Sequence, residues 1–369
     1  MRDLKAQRVV VKIGTNTICK EDGSVDQDYI FDGARQVVQL SDAGIEVIVV
    51  TSGAIGSGAT ELGLTGGRPK DIPLKQACAA VGQAILMMAY RDAFGRYGRS
   101  VGQVLLTYGA FSDRARYLDL QKAIEEMFLL KVVPIVNEND VISTDEIEEV
   151  FGDNDKLSAM VASKMNADLL VLLTDVDGLY DRNPQMDNDA RLISTVDEIT
   201  KDIERIAGGN KNARSVGGMR TKIVAARIAM QSGCNTVIAN GQVEDVIVKV
   251  VRGEEIGTLF TSHSKYNNRQ RWMLFGSPRG KIVVDEGAEK ALRSGKSLLP
   301  CGIVAVEGKF KEGDLVRIGG FAKGVTNFSD SDLLALKLQC LMDKEKGVKR
   351  VSNDKVAVNH INMVILDET

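Results

Sequence analysis

The chain has 369 residues, 44% of them hydrophobic, so it can bury more than one core and is expected to form two or three domains. Its 47 basic and 50 acidic residues nearly balance, which excludes a whole-chain electrostatic attraction to nucleic acid or an anionic membrane. No run approaches the ~18 consecutive apolar residues of a membrane helix, so we expect a cytoplasmic enzyme with small soluble partners.

Cysteine and histidine usage narrows the expected chemistry. The five cysteines are scattered and form no Cys-x-x-Cys pair, which favours a reducing compartment and argues against a disulfide framework or a cysteine zinc site. His263 and His360 are the two histidines, so few candidates exist for a histidine base or metal cage. The catalytic groups are expected among lysines, carboxylates and backbone amides, with no metal site built from side chains.

Short β-branched runs alternate with helical patterns over the first two thirds of the chain. The predicted strands are Arg8–Ile13, Ile45–Val50, Val101–Thr107, Val132–Val136, Asp168–Leu173 and Thr236–Ala239. The predicted helices are Asp28–Ala43, Leu74–Phe94, Asp113–Leu130 and Met219–Gln231. This alternation predicts an α/β fold with an open, mainly parallel sheet and helices on both faces.

The three- and four-residue spacing of apolar residues that is typical of helices ends after about Gly253, and a polar stretch follows. We therefore predict a first domain over residues 1–258, a linker over 259–279 and a small β-rich domain over 280–369. Strand-like runs of this last domain are Lys281–Val284, Gly302–Val306, Leu315–Ile318 and Val356–Val358.

Small and polar residues follow the predicted strands, at the sheet edge where open α/β proteins bind ligands. Lys12 lies near the end of the first strand, where burying its ammonium group is costly unless an anion pairs with it. The alternative is a lysine with a buried stem and its ammonium group in solvent. The glycine-rich segment Thr51–Gly58 can offer backbone N–H groups to an anion or can be a plain turn. It lacks the G-x-G-x-x-G spacing, and Ser294–Ser297 lacks the leading glycine of a phosphate P-loop.

Three further segments carry charged residues at element ends. Asp153, Asn154 and Asp155 precede a helical pattern, and helix capping explains one of them but hardly all three. The segment Gly217–Lys222 enters another helix, whose free N–H groups favour a phosphate, although a glycine linker is the alternative. Thr174 and Asp175 follow the most hydrophobic strand, where a simple turn is equally compatible.

Together these segments resemble the amino-acid kinase family over roughly the first 260 residues. The matching segments are Val10–Thr15, Val50–Ile55, Val136–Asp140, Gly152–Asp155, Leu173–Asp175 and Gly217–Lys222. Segments Ile282–Ala288 and Ser297–Ile303 resemble the PUA domain that many members append. Within the family, the resemblance is to kinases that phosphorylate the γ-carboxylate of L-glutamate with ATP and Mg²⁺, at the first step of proline biosynthesis.

The resemblance implies roles for individual residues. Lys12, Asp155 and Lys222 are implied as catalytic, and Ser52, Asp140 and Asn154 as glutamate-binding. The implied ATP-binding residues are Lys12, Thr174, Asp175, Val216, Gly217, Gly218, Met219, Arg220, Thr221 and Lys222. The resemblance also implies that the protein forms a homodimer or homotetramer.

Two alternatives stay open. Kinases of acetylglutamate, aspartate, carbamate and uridylate share the general architecture, so the acceptor could differ. An RNA-binding protein is the rival class, since PUA domains elsewhere bind RNA. Residues 281 to 369 carry 14 Lys plus Arg against 13 Asp plus Glu, which is not the basic footprint of nucleic-acid binding, so we expect no RNA partner.

Overall fold

The computed structural model describes residues 1–64, 69, 71–107, 111, 114–142, 154–184, 186–208, 218–262, 268–276, 278–345 and 355–366. The chain forms two compact units. The first comprises Met1–Tyr108 and Leu118–Lys265, and the second comprises Gly109–Tyr117 and Tyr266–Thr369.

Within the described residues, the first unit contains an eight-stranded sheet in the order β3-β4-β2-β1-β5-β7-β8-β6. Its strands are β1 (Arg8–Ile13), β2 (Glu46–Val50), β3 (Ser100–Leu106), β4 (Val132–Glu138), β5 (Leu169–Thr174), β6 (Thr195–Val196), β7 (Asn235–Asn240) and β8 (Thr258–Phe260). The strands from β3 to β7 in this order pair in parallel, and β8 pairs antiparallel to β7. The predicted mainly parallel sheet is confirmed.

Helices alternate with these strands along the chain. They are α1 (Thr15–Ile18), α2 (Gln27–Asp42), α3 (Ala54–Glu61), α4 (Ile72–Gly95), α5 (Arg114–Leu129), α6 (Asn154–Lys164), α7 (Lys201–Gly208), α8 (Met219–Gln231) and α9 (Val246–Val251). Val9, Val11 and Ile13 of β1 join the core cluster that contains residues of α2, α4 and α9. Because side chains alternate along a strand, Val10 and Lys12 point to the opposite face, and α6 contacts β1 there.

Helix α4 has an unusual composition. Among the described helices, it is the one long and apolar enough to meet the length and composition of a membrane span. In this structure it packs against α2, α3 and β3. Its contact with α3 is very close, since a Cβ on Gly82 would lie 1.8 Å from the Ala54 carbonyl oxygen, so the two helix backbones touch where glycine is required.

The second unit contains, among its described residues, a five-stranded sheet in the order β10-β9-β11-β12-β13. Its strands are β9 (Gly280–Val284), β10 (Ile303–Gly308), β11 (Leu315–Ile318), β12 (Ala322–Thr326) and β13 (Val358–Ile365), and its helices are α10 (Asn268–Phe275), α11 (Glu286–Arg293) and α12 (Asp330–Glu345). The β-rich character of the C-terminal region is confirmed.

The segment predicted as a linker, residues 259–279, contains regular structure. Strand β8 extends to Phe260, and α10 lies within the segment predicted as linker. The polar residues that suggested a linker are followed by Trp272 and Met273, which are buried. Burial of these two side chains stabilises a helix in a segment of polar composition.

One cysteine expectation is wrong. Cys301 and Cys340 form a disulfide with a Cα–Cα distance of 5.6 Å, although 39 positions separate them in sequence. Cys301 lies in the short 3-10 helix Pro300–Gly302, and α12 contacts that helix. The pairing depends on this long-range contact, which cysteine spacing does not reveal.

We expect this disulfide to stabilise the second unit. Closing a loop of this length removes conformational entropy from the unfolded chain, so Cys301→Ser should lower the free energy of unfolding by about 2–4 kcal/mol in non-reducing buffer. Thermal unfolding followed by circular dichroism, with and without dithiothreitol, measures the effect. The reductant should lower the wild-type transition to that of the variant, and a wild-type transition insensitive to reductant would contradict the prediction.

Candidate active site

A buried carboxylate lies between two buried lysines. Asp155 Oδ1 is 2.6 Å from Lys12 Nζ, and Asp155 Oδ2 is 3.2 Å from Lys222 Nζ. The Asp155 side chain is completely buried, and both lysines are at most 5% exposed. A single buried carboxylate thus contacts two lysine side chains, and this pairing offsets part of the cost of burying their charges.

The chain brings these residues together through three elements. Lys12 lies on the face of β1 that α6 contacts, and α6 begins at Asn154, so Asp155 lies in its first turn. Helix α8 packs against α6 and carries Lys222 in its own first turn. The sequence-predicted catalytic residues are therefore adjacent in the structure, at a strand end and two helix beginnings.

The beginning of α8 is suited to bind an anion. Gly218 is the N-cap and supplies no capping side chain, and the first turn of a helix is a favourable place for an anion to bind. Thr221 Oγ1 donates a hydrogen bond to Asp155 Oδ2 at 2.9 Å. This bond connects the helix beginning to the carboxylate that holds both lysines.

Thr174 and Asp175 lie at the end of the neighbouring strand β5. Asp175 accepts hydrogen bonds from Asn16 Nδ2 at 3.2 Å and from Thr174 Oγ1 at 3.1 Å. Burial alone would raise the pKa of Asp175, but these hydrogen bonds and the charge of Lys222 outweigh burial and lower the pKa below its ordinary value. Asp175 is therefore ionised at neutral pH.

A second polar cluster lies at the ends of β2 and β4. Asn154 Nδ2 is 3.0 Å from Ser52 Oγ, 2.6 Å from the Thr51 carbonyl oxygen and 2.9 Å from Asn137 Oδ1. Gly53 follows with a φ of 97°, a left-handed conformation that glycine adopts without strain and that turns the chain sharply into α3. This turn presents Ser52 toward the centre of the site.

The two clusters share one cavity of about 640 Å³. Its lining includes half of the predicted residues, namely Lys12, Ser52, Asp140, Asn154, Thr174, Asp175 and Lys222. Lysines at one end and amide, hydroxyl and carboxylate groups at the other give the cavity a cationic part and a neutral-to-acidic part. It can hold a polyanion beside a small zwitterion.

Several residues of this cavity were assigned no role from the sequence, among them Thr17 and Asn137. Thr17 lines it, and its buried hydroxyl has no hydrogen-bond partner in the part of the chain that the structure describes. Asn137 also lines it and bonds to Asn154, although it was quoted only as part of a motif. Asn137 could have been identified because it is the first polar residue after the apolar run of β4. Nothing in the local sequence distinguished Thr17.

Some predicted residues do not line the cavity, and others lie outside the residues that the structure describes. Met219 and Arg220 are in the first turn of α8 but do not line the cavity, and Arg220 is exposed. Val216 and Gly217 lie outside the described residues. Within the described ranges, no group of three or more His, Cys, Asp or Glu side chains is arranged to hold a metal ion.

Comparison with known families agrees with this geometry. Residues 7–240 match the model of the amino acid kinase family. The chain belongs to the amino acid kinase family. A second match, to the PUA domain, covers residues 280–339. The kinase match includes every residue that we have placed in the cavity.

Relatives of this kinase chain include proteins described as glutamate 5-kinase. One from Methanococcoides burtonii is 50% identical over 337 residues, with 90% of each chain covered. Another, from Methanosarcina acetivorans, is 48% identical over 342 residues, with 89% of each chain covered. A solved UMP kinase from Bacillus anthracis has a TM-score of 0.48 and 17% identity, covering 70% of this chain and 97% of that one.

Proposed function

We propose that this chain is a glutamate 5-kinase. It transfers the γ-phosphoryl group of ATP to the γ-carboxylate of L-glutamate and yields L-glutamate 5-phosphate, at the first step of proline biosynthesis. The observation that carries the phosphoryl transfer is the pair of buried lysines held by Asp155 on the cavity. The relatives described as glutamate 5-kinases support the choice of acceptor.

The reaction needs charge neutralisation more than a base. The unperturbed pKa of a glutamate side chain is ~4.3, so the acceptor is already an anion at neutral pH. Its carboxylate oxygen attacks the γ-phosphorus, the bond from that phosphorus to the β,γ-bridging oxygen breaks, and ADP leaves. Lys12 and Lys222 reduce the repulsion between acceptor and triphosphate and stabilise the charge of the transferring group.

Each end of the cavity then has a ligand. Thr174, Asp175 and the α8 segment from Gly218 to Lys222 bind ATP, with the positive end of the α8 dipole directed at phosphate oxygens. Ser52, Asn154 and Asp140 bind glutamate, and Asp140 pairs with its ammonium group. Mg²⁺ would arrive with ATP and would neutralise part of the charge of the triphosphate.

Asp140→Asn should separate the two substrates. Loss of the carboxylate removes the partner of the substrate ammonium, so the KM for glutamate should rise by about 10- to 100-fold while the KM for ATP changes less than about twofold. Initial rates at varied glutamate and varied ATP measure both constants. A parallel rise of both would contradict the assignment of Asp140 to glutamate.

Three properties of the whole protein complete the proposal. The chain acts in the cytoplasm as a homodimer or homotetramer, and RNA is not its partner. We also propose residues 1–258 as the kinase domain, with a PUA-like domain at 280–369 after the 259–279 connection. Light scattering coupled to size exclusion tests the oligomer, and a gel shift with structured RNA tests the absence of RNA binding.

A panel of acceptors tests the function directly. The protein, ATP, Mg²⁺ and hydroxylamine are incubated with glutamate, aspartate, acetylglutamate, carbamate or UMP, and the release of ADP and the coloured hydroxamate are measured. Hydroxamate should form with glutamate and depend on ATP. If glutamate gave neither product while another acceptor released ADP, the proposed acceptor would be wrong.

A further inference from the structure

Helix α4 lies outside every segment that was expected to carry chemistry, yet it contacts the glutamate end of the cavity. Tyr90 donates its hydroxyl hydrogen to Thr51 Oγ1 at 2.9 Å, and Gln83 Oε1 accepts from Asn137 Nδ2 at 2.8 Å. Residues seven positions apart lie on the same side of a helix. One side of α4 thus supplies hydrogen bonds to the ends of both β2 and β4.

The bond from Asn137 to Gln83 determines how the next amide is oriented. Asn137 can present either its oxygen or its nitrogen to a neighbour. Because its nitrogen donates to Gln83, its oxygen faces Asn154 and accepts from Asn154 Nδ2 at 2.9 Å. The same Asn137 oxygen accepts from the Glu138 N–H at 2.9 Å.

Asn154 is oriented in turn by this chain of bonds. Its nitrogen is held toward Asn137, Ser52 and the Thr51 carbonyl oxygen, so its oxygen is directed away from all three. The order of contact is Gln83, Asn137, Asn154 and Ser52, and the last three line the cavity. Gln83 does not line it.

The position of Gln83 is fixed by the helix backbone. Gly82, the preceding residue, contacts α3 so closely that an added Cβ would lie 1.8 Å from the Ala54 carbonyl oxygen. A Cβ on Gly58 of α3 would lie 1.8 Å from the Cys78 carbonyl oxygen of α4. Helix α4 therefore cannot shift relative to the turn that carries Ser52 without disrupting both contacts.

Gln83 also retains a polar atom that folding alone does not require. Its Nε2 is buried and has no hydrogen-bond partner in the described part of the chain. A methionine would fill similar space without that desolvation cost, which is about 1–3 kcal/mol for a buried donor. The retained amide is explained by the acceptor that it offers to Asn137.

We propose that Gln83 is a positioning residue for the phosphoryl acceptor, acting through Asn137 on Asn154 and Ser52. This inference rests on the proposed glutamate kinase function, because the ligand oriented by Asn154 and Ser52 is glutamate. Gln83 does not touch either substrate. Its removal changes the orientation of the acceptor site and leaves the ATP site, with Lys222 and Asp175, as it is.

The test compares Gln83→Met with Gln76→Met, the same substitution one heptad earlier on α4 at a side chain that lines no cavity described above. Gln83→Met should raise the KM for glutamate about tenfold, as expected for one lost hydrogen bond in a network, and leave the KM for ATP within about twofold. Gln76→Met should match the wild type in both constants. Equal KM values for glutamate in the two variants would overturn the proposal.

A double-mutant cycle separates positioning from general packing. If Gln83 acts through Asn137, Gln83→Met adds no further increase in the glutamate KM once Asn137→Ala is present. Additive effects, or equal rises in both KM values with a lowered melting temperature, would overturn the proposal. If Gln83→Met does not fold, Gln83→Asn shortens the side chain, withdraws the acceptor and should give the same KM pattern.

The outcomes also distinguish this inference from the proposed function. A wild-type protein that forms no hydroxamate from glutamate refutes the function itself. A wild-type protein that does form it, together with an unchanged glutamate KM in Gln83→Met, refutes only the role of Gln83.

Discussion

Asp155→Asn should lower kcat by about 10²–10³-fold or more, the scale seen when one preorganised charge-stabilising group is removed. Asn keeps the shape of the side chain but cannot neutralise two lysines. The 2.6 Å and 3.2 Å contacts to Lys12 and Lys222 would lose their charge, and the two ammonium groups would repel each other inside the protein. Both lysines would move from the positions that phosphoryl transfer needs.

The matched control is Asp119→Asn, which removes the same charge from an exposed pair. Asp119 lies 3.9 Å from Lys122, and both side chains are largely exposed, so this pair contributes little. Single-turnover rates of hydroxamate formation, with circular dichroism to verify folding, measure the effect on chemistry. A folded Asp155→Asn protein with near-normal turnover would remove Asp155 from the proposed mechanism.

Lys222→Met is the second change with a very large expected effect. Methionine keeps the length and apolar volume of the lysine stem and removes the ammonium group at the beginning of α8. If that charge stabilises the transferring phosphoryl group, as we propose, kcat should fall by about 10²–10³-fold, with a small change in the KM for glutamate. Asp155 would still be paired with Lys12.

Kinetics and a surface control distinguish this prediction from a loss of stability. Lys201→Met, on the exposed side of α7, should match the wild type in kcat and in both KM values. An increase confined to the KM for ATP, with kcat unchanged in Lys222→Met, would show that Lys222 binds ATP without stabilising the transition state.

The parallel sheet and the proximity of Lys12, Asp155 and Lys222 were predictable from sequence for identifiable reasons. Buried parallel strands consist of continuous apolar runs, and five of the six predicted strands in the first unit are bounded within one residue of the observed ones. In such a sheet the strand ends converge, so Lys12 and the residues after β2, β4 and β5 had to lie near one another. Because side chains alternate along β1, Lys12 lies on the face of the sheet that α6 contacts.

Other features depend on contacts between distant segments. Strand β8 has three residues and is defined by antiparallel pairing with β7, and β12 lies between β11 and β13. The disulfide likewise joins residues that only the fold brings together. Gln83 is one polar residue in a helix rich in apolar side chains, and its bond to Asn137 spans 54 positions, so no local pattern indicated it.

The most direct measurement of the central claim follows the acceptor oxygen. L-glutamate labelled with oxygen-18 at both γ-carboxylate positions is incubated with the protein, ATP and Mg²⁺, and hydroxylamine then cleaves the acyl phosphate at its carbonyl carbon. If the carboxylate attacks the γ-phosphorus, each phosphate released carries one oxygen-18 from glutamate, visible as an isotope shift in the phosphorus NMR spectrum. Released phosphate without the label would mean that water attacks ATP, and would contradict the account.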